Sequence, residues 1–127
     1  MADRLWSKGL DLNERVHRFT VGDDPITDLR LVPYDCMGSA AHARGLCAIG
    51  LLSSEDTQDA LQKLEKIAET GLTISPEQED CHTAIEQALG DVGKRIHLGR
   101  SRNDQVATAM RLWMRDAIFE LTDACGE

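Results

Sequence analysis

The sequence predicts an all-α fold, on three observations. Apolar residues recur at spacings of three and four along most of the chain, the signature of one-sided helices. Gly, Pro, Ser and Asp punctuate these runs where helices start and stop, and no stretch reads convincingly as a strand. Apolar residues make up 42% of the chain but aromatics only 4%, so the core must come from Leu, Ile, Val, Ala and Met carried on helices. At 127 residues the length predicts one domain, able to bury roughly two-thirds of its unfolded surface.

The elements follow in order. Asp11, with Glu14 three residues later, is a capping box for a short helix that should turn Leu12, Val16 and Phe19 inward. Asp24 and Pro25 give a cap followed by proline at a first helical position. Pro33 opens the next helix, and Gly50 can close it with a left-handed cap. Within it Cys36, Ala40, Ala43 and Cys47 share a stripe of small core packers, while Ser39, His42, Leu46 and Ile49 share another face.

Ser53 or Ser54 caps a helix whose stripe is Ala60, Leu61, Leu64, Ile67 and Ala68, stopped by Gly71. Residues 71–78, with Pro76, read as a linking loop. Asp80 caps a helix over about 81–89 that Gly90 ends, with His82 in its first turn. The last helix, about 103–124, places Val106, Met110, Trp113, Ala117 and Leu121 on one stripe. That stripe runs to the chain end without a downstream partner, as expected of a bundle helix cut short.

The formal charge of −8 disfavours nucleic acid and anionic membrane as partners. No apolar stretch resembles a signal peptide or a membrane span, and the four cysteines (Cys36, Cys47, Cys81, Cys125) have no paired spacing. A cytoplasmic, reduced protein is expected, and the scattered His and Cys give no metal-ligand pattern. The acidic excess is uneven. Over residues 94–115 six basic side chains (Lys94, Arg95, Arg100, Arg102, Arg111, Arg115) face one acid, Asp104.

That basic island contains the richest stretch of the chain, residues 97–108. It groups His97, Gly99, Arg100, Ser101, Arg102, Asn103, Asp104, Gln105 and Thr108 at the mouth of the last helix. Free N–H groups and the positive dipole end at a helix start favour anions, and arginine forks pair two-pronged with carboxylates. Read from residues alone, the stretch is a small-anion site, or else a solvated helix start with its own salt bridge.

The run His97-Leu98-Gly99-Arg100-Ser101-Arg102-Asn103-Asp104-Gln105-Val106 resembles the His-Thr-Gly-Arg-Ser-Arg-Asn-Asp-Gln-Val segment of the argininosuccinate lyase family, within the aspartase/fumarase superfamily. Further blocks resemble the N-terminal region of that family in the same order. They are Leu5-Trp6 with Lys8-Gly9, the run from Phe19 to Asp24, Asp35 with Gly38-Ser39 and Ala41-His42-Ala43, and the run from Glu79 to Glu86. Leu98 departs from the usual threonine, and Trp6-Ser7-Lys8-Gly9 replaces the commoner Trp-Gly-Gly-Arg-Phe.

The resemblance implies an N-terminal helical domain, about 1–99, followed by the signature segment and the start of the first long bundle helix, about 100–127. The family's Thr-x-His segment and mobile Ser-rich loop have no counterpart in the sequence. The implied reaction is reversible elimination of argininosuccinate to arginine and fumarate, the last step of arginine biosynthesis, without metal or organic cofactor, in a homotetramer. It gives Ser39, Arg102 and Asn103 to substrate carboxylates, His82 to positioning and Asp80 to orienting His82. Arg100, His97, Ser101, Asp104 and Gln105 complete the signature. The chain on its own is expected to hold binding residues without the proton-transferring ones, and to be inactive. The alternative is a non-catalytic binding or structural module of the same fold.

Overall fold

Seven α-helices and one 3-10 turn form the framework of a computed structural model that describes residues 13–75 and 77–126, with no strand among them. The helices are α1 (Glu14–Val21), α2 (Asp24–Thr27), α3 (Val32–Ala48), α4 (Ser54–Thr70), α5 (Cys81–Leu89), α6 (Asp91–Ile96) and α7 (Arg102–Gly126). The 3-10 turn, Asp28–Leu31, links α2 to α3. The expected all-α class is what the chain adopts. The predicted roles of Leu5, Trp6, Lys8, Gly9, Asp11, Leu12 and Pro76 lie outside the described residues.

Helix α3 is the hub, with α4 and α7 both laid against it and α5 and α6 closing the gap between them. Its C-terminus is a Schellman motif: Gly50 N–H bonds to Cys47 O (3.0 Å) and Leu51 N–H to Leu46 O (2.9 Å), with Gly50 at φ 75° where only glycine is free of strain. This reverses the chain into α4, where the Ser53 hydroxyl accepts from Asp56 N–H (3.0 Å). Lys63 on α4 bonds Asp59 (2.8 Å) and also Leu89 O (3.3 Å), satisfying a carbonyl left open at the end of α5.

The core joins Val32, Cys36, Ala43 and Leu46 of α3 to Ala60 and Leu64 of α4, Ile85 and Leu89 of α5, and Val92 and Ile96 of α6. Ile74 reaches into it from the loop, and Met110 and Trp113 of α7 pack on its edge. No ring larger than these is needed, in line with the aromatic-poor composition. No described helix is long and apolar enough to cross a membrane.

Three expectations are corrected, and one helix was unforeseen. Helix α1 is capped by Asn13, whose side chain accepts from Arg15 and Val16 N–H, and it turns Val16 and Phe19 outward; Phe19 is 88% exposed. Only Val21 of that helix is buried, because eight residues make barely two turns and one end contact suffices to hold them. Ala68, placed on the inner stripe of α4, is exposed. In α7 the buried line runs through Gln105 and Ala109, with Val106, Met110, Trp113 and Ala117 at its flank and Leu121 exposed. Helix α6 was not anticipated. It starts directly after Gly90, and it fits against α5 because Gly93 has no Cβ to meet the Glu86 carbonyl.

Candidate functional site

Asp35 is the centre of the site. It sits on the inner face of α3, 1% exposed, because Cys36 and Ser39 flank it on a helix covered by both α5 and α7. A buried carboxylate requires donors on every side, and Asp35 has them. His82 Nδ1 on α5 lies 2.9 Å from Oδ2, Gln105 Nε2 on α7 donates to both oxygens (2.9 and 2.8 Å), and the Ser39 hydroxyl donates to Oδ1 at 3.1 Å. Burial pushes this carboxyl up. The hydrogen bond and charge of His82, the Gln105 bond and the charge of Arg100 outweigh it, so the group stays ionised below the ordinary carboxylate value.

Arg100 extends this network outward, donating from Nη1 to Ser39 Oγ at 3.1 Å. Its Nε is buried and has no hydrogen-bond partner among the described residues. Burial lowers the guanidinium pKa while the Asp35 charge opposes the change. The turn at Gly99, φ 74°, carries the chain from α6 to α7 and sets Arg100 beside the start of α7. There Ser101 and Asp104 cap reciprocally: Asp104 N–H bonds Ser101 Oγ (3.2 Å) and Ser101 N–H bonds Asp104 Oδ2 (3.3 Å).

These groups open onto a cleft of about 130 Å³ lined by Tyr34, Asp35, Gly38 and His42 of α3, by Arg100, and by Asp104, Gln105, Thr108 and Ala109 of α7. His42 Nε2 contacts Leu98 O at 2.9 Å, tying α3 to the segment before Gly99. The cleft is small and mixed in lining, with one guanidinium and one helix start as its anion-binding features. It suits a carboxylate rather than an apolar ligand.

The structure therefore brings together Ser39, His82, Arg100, Asp104 and Gln105 from the predicted set, and places the others around them. Arg102 does not line the cleft but leans toward α5, with Nη1 donating to Gln105 Oε1 (3.1 Å) and Nη2 3.6 Å from Glu86 Oε2. His97 Nδ1 is 3.2 Å from the same Glu86 oxygen, without hydrogen-bond alignment. Asn103 and Ser101 are exposed. Asp80 caps α5, accepting from Thr83 N–H at 2.6 Å, and so fixes the first turn that carries His82.

Two features escaped the sequence reading. Asp35 was noticed only as part of a motif; the i, i+4 spacing to Ser39 was the available hint, but its partners His82 and Gln105 lie 47 and 70 residues away. Glu86, which gathers His97 and Arg102, was likewise not singled out. Donor atoms of Asp35, Cys81 and His82 lie within 4.8 Å of one another. They make a poor metal centre, since the Asp35 oxygens are already saturated and burial pushes the Cys81 thiol far up from its ordinary value, aided by neighbouring carboxylates.

Comparison with known proteins gives the chain a family. A family model described as "Lyase" covers residues 12–127. The chain is 46% identical, over all of its length, to an argininosuccinate lyase of Thermotoga neapolitana, and 44% identical over 97% of its length to one of Sorangium cellulosum. It is 41% identical over its whole length to one of Stenotrophomonas maltophilia. It spans only about a third of each relative, 34%, 30% and 32% respectively. With the match extending over nearly every residue, site included, the chain belongs to the lyase family.

Proposed function

We propose that this chain forms the substrate-binding N-terminal part of an argininosuccinate lyase, which reversibly eliminates fumarate from argininosuccinate to leave arginine. The observation that carries this reading is the signature segment, folded as a capped helix start with the Arg100 guanidinium lining a small cleft. The reaction removes a proton from the carbon beside a carboxylate and breaks the adjacent carbon–nitrogen bond. The intermediate carries additional negative charge on that carboxylate, so pre-aligned donors lower the barrier.

In this reading Arg100, Arg102, Asn103 and Ser101 hold substrate carboxylates; Ser39, expected to do the same, is 1% exposed and instead sets the Arg100 guanidinium, as Gln105 sets that of Arg102. His82 positions, Asp80 fixes its helix turn, and His97 and Asp104 shape the segment. Neither arginine acts as base or acid; those groups belong to other parts of the lyase. The working enzyme is a cytoplasmic homotetramer needing no cofactor.

The test is a chimaera in which this chain replaces the matching segment of the Thermotoga neapolitana relative. Fumarate release from argininosuccinate, followed by absorbance, is expected from the chimaera and not from the chain alone. A folded chimaera that releases none, or that prefers adenylosuccinate, overturns the reading in favour of a non-catalytic module or a different lyase.

A further inference from the structure

We propose that Asp35 is a positioning residue that sets the geometry of the carboxylate site from beneath, holding His82, Gln105 and, through Ser39, Arg100 in one fixed arrangement. The inference rests on the lyase reading of the cleft and adds to it a residue to which no contact with substrate is assigned.

Asp35 is 1% exposed, and its two oxygens receive four contacts from three separate elements: its own helix α3, α5 and α7. Because the carboxylate is ionised it can only accept. His82 must then carry a proton on Nδ1, which sets its tautomer and ring orientation. Gln105 must present its amide nitrogen to Asp35, which turns Oε1 toward Arg102 at 3.1 Å and so dictates which way that guanidinium lies. Ser39 must give its proton to Asp35, which leaves its oxygen as acceptor for Arg100 Nη1. One buried charge therefore decides the donor and acceptor sense of Ser39, His82 and Gln105, the three side chains that bond to it.

Asn at position 35 keeps the shape but breaks this logic, since a carboxamide accepts at one end and donates at the other. At least one of Ser39, Gln105 and His82 must then turn or lose a bond.

The test uses nuclear magnetic resonance on the full chain, comparing the unmodified protein with Asp35→Asn and Ser39→Ala, with fumarate as the titrant. Circular dichroism establishes that each variant is folded. In Asp35→Asn, the His82 ring nitrogens, the Gln105 amide and the Arg100 guanidinium resonances should all move, and fumarate affinity should fall by roughly tenfold or more, the loss of about one well-aligned charge-assisted contact. Ser39→Ala cuts only one arm. It should move Arg100 and leave the His82 tautomer unchanged, a separation that general loosening would not give.

The inference is overturned if His82, Gln105 and Arg100 keep their resonances in Asp35→Asn, or if fumarate affinity is unchanged. Should the unmodified chain give no saturable response to fumarate, the lyase reading of the cleft falls instead, and the side-chain resonances alone decide whether Asp35 sets the arrangement.

Discussion

Asp35 shows how one side chain can serve stability and site geometry together. Its carboxyl is depressed in the folded state by His82, Gln105 and Arg100 against the opposing effect of burial. A depressed pKa contributes stability that is fully present above the unfolded value and is lost as pH falls through the lower folded value. The unmodified chain should therefore exceed Asp35→Asn in urea-unfolding stability by about 2–4 kcal/mol near neutral pH, the range for breaking a buried charged network. The gap should narrow only below the ordinary carboxylate range. A constant gap down to strongly acid conditions would contradict the ionised, hydrogen-bonded Asp35 described here. The buried thiols behave oppositely: burial, with help from Asp35, pushes Cys36 up to about 12, so slow alkylation at neutral pH accompanies the intact core.

At the scale of elements, caps and close approaches decide where helices begin and meet. Ser53→Ala removes the acceptor for Asp56 N–H and should cost about 1 kcal/mol in thermal or urea unfolding, with the fold retained. Gly93→Ala should cost about 1–3 kcal/mol, since the added Cβ meets the backbone carbonyl of Glu86, which cannot move without parting α5 from α6. An unchanged unfolding midpoint in either variant would argue against the corresponding contact. The helices with strong punctuation were legible beforehand: α5 falls at Cys81–Leu89 between Asp80 and Gly90, and α4 runs from its Ser53 cap to Gly71. Helix α6 was not legible because six residues are too few to show a period. The inward turn of Phe19 failed for a different reason, since spacing identifies a face but not what lies opposite it. The anion-site character of residues 97–108 was readable from composition and helix position, whereas the Asp35 network was not, because its partners converge only after α3, α5 and α7 pack.

At the scale of the whole molecule, α7 divides into two parts. Its first half is fastened to α3 through Gln105, with Ala109 buried and Met110 and Trp113 packed on the core, while Met114, Ile118, Phe119 and Leu121 stand 43–64% exposed. Of these, Met114, Ile118 and Leu121 at i, i+4 and i+7 share one face, a patch that favours association. Sedimentation of the chain should show concentration-dependent self-association that Ile118→Lys with Leu121→Lys abolishes; a monomer at all concentrations would contradict this use of the helix. The site lies at the opposite, firmly packed end of α7, so these substitutions should leave the cleft intact.

The account as a whole turns on the Arg100 guanidinium as the carboxylate receptor of a lyase. The direct measurement is kcat/KM for fumarate release from argininosuccinate by the Thermotoga neapolitana chimaera, with and without Arg100→Gln. A loss of about a hundredfold or more, in line with removal of one charge-stabilising donor, is the predicted result; equal activity in a folded Arg100→Gln chimaera would contradict it.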